Sequence, residues 1–291
     1  MHRINRDQLT YQFAPNLEPV IRIKAGDRVV AETYDASTGR IRTPEDLAAY
    51  IALRDPKKVN PAAGPIWVEG ARTGDELIVT IERITLTDQG YVRSAPGSWL
   101  LPDVELAATI VKVDGDQLVY PGGVRLPARP MVGVIGTAPP SGVVYTADPG
   151  PQGSNLDCNA IRVGSRVHLP VHVEGALLAI GDVHASMGDG EVSGTGVEIN
   201  AEIEFTVENV FCGSHGRPWI ETADEIVATG SAPGVDQAIK IAVEQLAGLI
   251  RERHNVSKTE AFMLISARGD VKVGQCCGGL DATAYAAFPR F

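Results

Sequence analysis

Positive charge is scarce in this 291-residue chain: 26 lysines and arginines face 36 aspartates and glutamates, a formal net charge of −10. A surface of that sign repels phosphate backbones and anionic headgroups, so neither nucleic acid nor a membrane surface is an expected partner. No apolar run approaches the ~18 residues that suggest a membrane span. The opening stretch Met1-His2-Arg3-Ile4-Asn5-Arg6-Asp7 lacks an apolar signal region, so a cytoplasmic protein is expected. The cysteines, Cys158, Cys212, Cys276 and Cys277, contain no CxxC spacing, which argues against a cysteine-built zinc cluster. The adjacent pair is badly placed for an ordinary bridge, and free thiols are expected. GxSxG, Walker, HExxH and Rossmann signatures are also missing, which removes several hydrolase and nucleotide-binding classes. Aromatics reach only 5%, so the core must be built from Val, Ile, Leu and Ala, while 31 glycines and 19 prolines suggest many turns between short strands. The length allows one large β-rich domain or two closely packed ones.

Residues 18–33 read as two strands joined by Ala25-Gly26-Asp27, and the design returns at 65–81 around Gly74-Asp75. Two such hairpins favour a sandwich or barrel. Between them, Thr43-Pro44-Glu45-Asp46 announces a short helix to about Leu53. Residues 109–126 alternate, 137–155 form a long Pro- and Gly-rich loop, and 162–172, 176–180 and 197–211 look like strands. After Ala232 the period changes: Ile239, Val243, Leu246 and Ile250 mark a five-turn amphipathic helix, and Ser257-Lys258-Thr259-Glu260 is a capping box opening another. The expectation is a mainly β chain, with a body over 1–230 that carries the active-site segments and an α/β part over 231–291 packed on it.

Chemistry concentrates in residues 181–191, where Asp182, His184, Asp189 and Glu191 lie among Gly181, Gly188 and Gly190 at the end of an apolar strand. Charge at such a place costs desolvation free energy unless it is paired or metal-bound. Asp182 and His184 are two apart and share a side of an extended backbone; with Asp157 from the long loop they could ligate a divalent cation, zinc by donor type. Glu191 is the candidate proton carrier beside His184 and Asp189, and Asn155 and Glu221 are candidates for holding substrate. The competing readings are a tight turn with solvated carboxylates at 188–191, a capping or loop-ordering role for Asp157, and a salt bridge for Glu221. His168 and His172 read as strand residues satisfied by neighbours, His215 as a turn residue. Cys158 is either a nucleophile or a small buried hydrophobe.

At these residues the chain resembles the acetamidase/formamidase family. The likeness rests on residues 60–71, beginning Asn60-Pro61-Ala62-Ala63-Gly64, on Gly74-Asp75, and on Gly153-Ser154-Asn155-Leu156-Asp157. It continues through Leu169-Pro170-Val171, the whole of 181–191, Gly196-Val197-Glu198, Glu221-Thr222 and Val273-Gly274-Gln275. It implies a jelly-roll-like β-sandwich with small barrel and helical elements, and hydrolysis of formamide or acetamide to ammonia and a carboxylate. It further implies a homodimer or higher oligomer, and zinc or calcium at Asp157, Asp182, His184, Asp189 and Glu191. Where many relatives carry His-Gly-Gly-Asn, this chain has Gln152-Gly153-Ser154-Asn155, one imidazole fewer, and its start, Leu9-Thr10-Tyr11-Gln12-Phe13, is that of the shorter branch. Two other readings remain: a cysteine-dependent amidase using Cys158, and a non-catalytic small-ligand or carbohydrate-binding sandwich.

Overall fold

The computed structural model describes residues 1–97, 100–276 and 281–290, without the side chain of Asn209; Cys277 therefore lies outside the described residues. The chain is mainly β: among the described residues nineteen strands join one curled, branched sheet and two short ones form a separate ribbon. Strand Glu198–Cys212 shows the expected alternation, with Ile199, Ala201, Ile203, Phe205 and Val207 fully buried and Glu202, Glu204 and Thr206 half-buried between them. It lies between Arg28–Thr33 and the long strand Asp75–Ser94, pairing antiparallel with both. The core continues through Ile66, Val68, Leu77, Val79, Ile135, Leu178 and Ile180.

The two expected hairpins form as strands and turns but not as pairs. Each turn is closed by the same device: Asp27 Oδ2 accepts from Lys24 N at 2.9 Å, and Asp75 Oδ2 from Arg72 N at 2.8 Å, with Gly26 and Gly74 at φ +89° and +93°. Beyond the turns the arms part. Ile21–Ile23 and Ala62–Val68 pair parallel with each other, while Arg28–Thr33 and Asp75–Ser94 flank Glu198–Cys212. A Gly-Asp turn specifies that the chain reverses, not which strand it then joins, and the more extensive burial lay with distant partners.

Helix α1 (Asp46–Leu53) starts later than its threonine suggested: the Asp46 carboxylate accepts from the backbone N–H groups of Arg42 and Thr43. Helices α2 (Val235–His254) and α3 (Lys258–Arg268) agree with the sequence, including the reciprocal Ser257–Glu260 capping box. Helix α2 packs on Glu225–Ala232 and Ala282–Pro289, burying Ala238, Ala242, Leu246 and Ile250. Closeness is set by Gly230, where a Cβ would come within 2.2 Å of the Ala238 carbonyl.

Strand Met131–Gly136 positions the chemistry. It pairs on one side with Leu178–His184, Met131 opposite His184 and Val134 opposite Gly181, and on the other with Gly153–Asn155, Val134 opposite Asn155. Two segments almost thirty residues apart are thus brought to the same end of neighbouring strands. Gly133 leaves the gap between them: a Cβ there would sit 2.6 Å from Asp157 Oδ1 and 3.0 Å from Asp182 Oδ2.

Candidate active site

Asp157, Asp182 and His184 are each 1% exposed, Glu198 2% and Glu191 7%. The imidazole is the hub. His184 Nδ1 is 4.0 Å from Asp157 Oδ1, and Nε2 is 3.9 Å from both Asp182 Oδ1 and Glu191 Oε1 and 3.2 Å from Glu198 Oε1. Despite that last approach, among the described residues neither ring nitrogen has a hydrogen-bond partner, nor does either oxygen of Asp157 or Oδ1 of Asp182. Five buried polar atoms converging without partners is what a protein interior avoids unless another group completes the set. The remaining contacts are orienting: Asn60 Nδ2 donates to Asp182 Oδ2 at 2.9 Å and to Asn155 Oδ1 at 3.3 Å, Gly196 N to Glu191 Oε1 at 2.9 Å, and Ala36 N to Glu198 Oε2 at 3.3 Å.

The backbone is bent to make this arrangement. Asn60, Asp157, Asp182 and Glu191 all have left-handed φ, between +44° and +55°, each costing of order 1 kcal/mol or more for a residue other than glycine. Electrostatics are equally forced. Burial raises the carboxyl pKa of Asp157 well above normal, with Glu191 adding to it, and burial and Glu198 do the same for Asp182. Burial would by itself depress the His184 pKa, but Glu198, Asp182 and Glu191 outweigh it and raise it well above the usual imidazole range.

The donors suit a small divalent ion. Asp157, His184 and Glu191 form one triad and Asp182, His184 and Glu198 a second, with the ligand atoms of each within 4.8 Å of one another. Separations of 3.2–4.0 Å from His184 bracket the upper side of the ~3.3 Å edge expected for a tetrahedron with zinc-length bonds. Above this floor opens a cavity of about 330 Å³, reached by Asn60, Asn155, Glu191 and Glu198 and walled by Tyr50, Tyr91, Arg54 and Arg93.

The other sequence candidates stand elsewhere. Asp189 is exposed; Asn159 Nδ2 donates to it at 2.7 Å and the Tyr285 hydroxyl also donates, on a separate cavity that Arg129, Arg162 and Lys272 line. The turn at 188–190 swings outward because Gly190 bridges to Gln275. Glu221, also away from His184, is buried between Arg166 (2.5 Å) and Arg253 (2.8 Å). His168 and these arginines hold its carboxyl down at about 2, so the salt-bridge reading describes it. His168 sits in a strand with Nδ1 at 2.9 Å from Glu76 Oε1 and its ring stacked on Trp219, but only half of the expected satisfaction is met: Nε2, 3.6 Å from Glu221 Oε2, has no hydrogen-bond partner among the described residues. Gln152 is buried and folds back over Gly150. Cys158 is fully buried, its thiol pushed up to about 12 by desolvation.

Two site residues were missed. Alternation puts Glu198 on the face opposite Ile199 and Ala201, which reads as solvent; the 35–37 turn covers that face. Asn60 carried only a weak signal, an amide before a proline.

The geometry now has relatives to set beside it. Residues 2–147 and 141–215 match the model of the Acetamidase/Formamidase family. The chain belongs to that family. Among solved structures it is similar to an acetamidase from Bacillus halodurans, 37% identical with a TM-score of 0.93 over 99% of this chain and 97% of that one. A predicted acetamidase/formamidase from Thermoanaerobacter tengcongensis is 35% identical, TM-score 0.92, over 99% and 95%. The formamidase of Methylophilus methylotrophus is 26% identical over 260 residues, 69% of this chain and 63% of its own. Against the curated acetamidase/formamidase relatives it matches, the chain spans 59–64% of their length.

Proposed function

We propose that this protein hydrolyses short linear aliphatic amides, formamide and acetamide among them, to ammonia and a carboxylate. The observation carrying the reading is the convergence of Asp157, Asp182, His184, Glu191 and Glu198, with five partnerless buried atoms, beneath a cavity of small-molecule size. The names of the family's solved and curated members support the reaction class.

Asp157, Asp182 and His184, with Glu198 as a fourth donor, would hold a divalent ion, zinc or alternatively calcium. When bound, such an ion supplies Lewis acidity that polarises an amide carbonyl and acidifies water. The chain's own groups do the rest. Asn155 lines the cavity at the floor, placed to orient the amide, and Asn60 keeps both Asn155 and Asp182 in position. Glu191, pinned by the Gly196 N–H, accepts the proton of the attacking water as its oxygen bonds to the carbonyl carbon. It returns that proton to nitrogen as the C–N bond breaks, releasing ammonia. Asp189 and Glu221 hold neighbouring loops and strands. Burial without an activating base disfavours Cys158 as nucleophile. A cytoplasmic homodimer or higher oligomer is part of the same proposal.

The test is ammonia release from formamide, acetamide and propionamide by metal-replete protein, with and without chelator, for wild type and His184→Ala. Turnover that falls at least ~100-fold on chelation and in the variant is expected. No ammonia from any of the three amides overturns the reading.

A further inference from the structure

The cavity is larger than formamide needs and is charged at both ends. About 330 Å³ is room for roughly ten waters, against three non-hydrogen atoms in formamide. Its floor is anionic. Its wall carries two guanidiniums, from Arg54 just past the end of α1 and Arg93 near the end of Asp75–Ser94. Both are half-buried, and neither forms an ion pair with a carboxylate among the described residues; the Arg93 guanidinium makes only a long 3.4 Å contact to the Gly194 carbonyl. Arg40, by contrast, lies over the Tyr50 ring and is tied to the Ser37 carbonyl. On a chain of net charge −10, two half-buried guanidiniums left unpaired in a substrate-sized cavity call for an anionic partner, since Arg is shaped for bidentate carboxylate recognition.

Resting on the amidase reading, we propose that the preferred substrate is a half-amide, a short linear amide whose far end carries a carboxylate held by Arg54 and Arg93. The acidic floor repels that carboxylate and the guanidiniums attract it, so the charge pattern admits one orientation: amide down to Asn155 and Glu191, carboxylate up. The same pattern works against the reverse pose, a form of specificity by repulsion. The hydrocarbon between the two ends runs along Tyr50, Val59 and Tyr91.

The experiment compares succinamate with valeramide, its neutral counterpart of equal length, on the full chain loaded with divalent metal. We expect kcat/KM to favour succinamate by about 10- to 100-fold, the range of one or two charge-assisted hydrogen bonds. In Arg93→Gln and in Arg54→Gln the succinamate-to-valeramide ratio should fall toward one, Arg93→Lys should restore part of it, and 0.5 M salt should shrink it in wild type. Valeramide turned over as well as succinamate by wild type overturns this inference while leaving the amidase reading intact. Ammonia from acetamide but from neither of these two overturns this inference alone, and ammonia from none of the three overturns both. A ratio that survives in both glutamine variants also overturns it.

Discussion

Replacing Gly196 by alanine adds one methyl group and addresses the hub of the site alone. The new Cβ would lie 2.8 Å from His184 Cγ, 2.9 Å from Nδ1 and 3.1 Å from Cβ, and meets no backbone within its nearest contacts. Ordinary contact begins near 3.4 Å, so the imidazole must retreat by at least about 0.6 Å. A displacement approaching ~1 Å at a positioned group costs about 100-fold in rate, and disturbed metal positioning costs 10- to 100-fold in affinity. We therefore expect kcat/KM for acetamide to fall about 10- to 100-fold, or roughly 1.4–2.7 kcal/mol. Bound divalent metal, measured by elemental analysis after dialysis against a weak chelator, should fall with it. Overpacking of about 1–3 kcal/mol lowers Tm by several degrees without unfolding the chain. Gly188→Ala is the control, because a Cβ there meets nothing within 4 Å. If Gly196→Ala keeps kcat/KM within about threefold of wild type and retains its metal, His184 is not the hub and the reasoning fails.

Cys158→Ser should retain ammonia release within about threefold and full chelator sensitivity, since a buried thiol pushed up to about 12 supplies no thiolate; loss of turnover in a folded variant would establish the cysteine route instead. The His215 imidazole, bonded to Glu76 and Glu252 at 3.0 Å each, is raised to about 9, chiefly by Glu76. A raised folded-state pKa stabilises fully below its ordinary value of 6.5 and loses that contribution as pH climbs through about 9. Tm should accordingly drop between pH 7 and pH 10 more in wild type than in His215→Gln, and parallel curves for the two proteins would rule the linkage out.

Local features were legible from residue order. The capping box at Ser257, the helical stripe from Val235, the alternation through Phe205 and the two Gly-Asp turns depend on neighbours a few positions away, and each is found where the pattern put it. The acidic segment around His184 was visible for the same reason. Partner choice was not local. The hairpin arms separated because burial against Glu198–Cys212 and between Ile21–Ile23 and Ala62–Val68 outweighed pairing across a turn. Asp189 left the cluster because Gly190 pairs with a strand contributed some 85 residues later.

Residue order by itself thus determined the chemistry in stock, carboxylates and an imidazole at the end of an apolar strand, because composition and short spacings are properties of the chain alone. Which carboxylates face His184 was decided only by the fold. Asp157 arrives across the gap at Gly133, Glu198 is roofed by the Ala36 turn, and Glu221 is drawn off by Arg166 and Arg253. The reason is physical: desolvation and charge pairing act through space, and the distances over which they act exist only once the strands have chosen their neighbours.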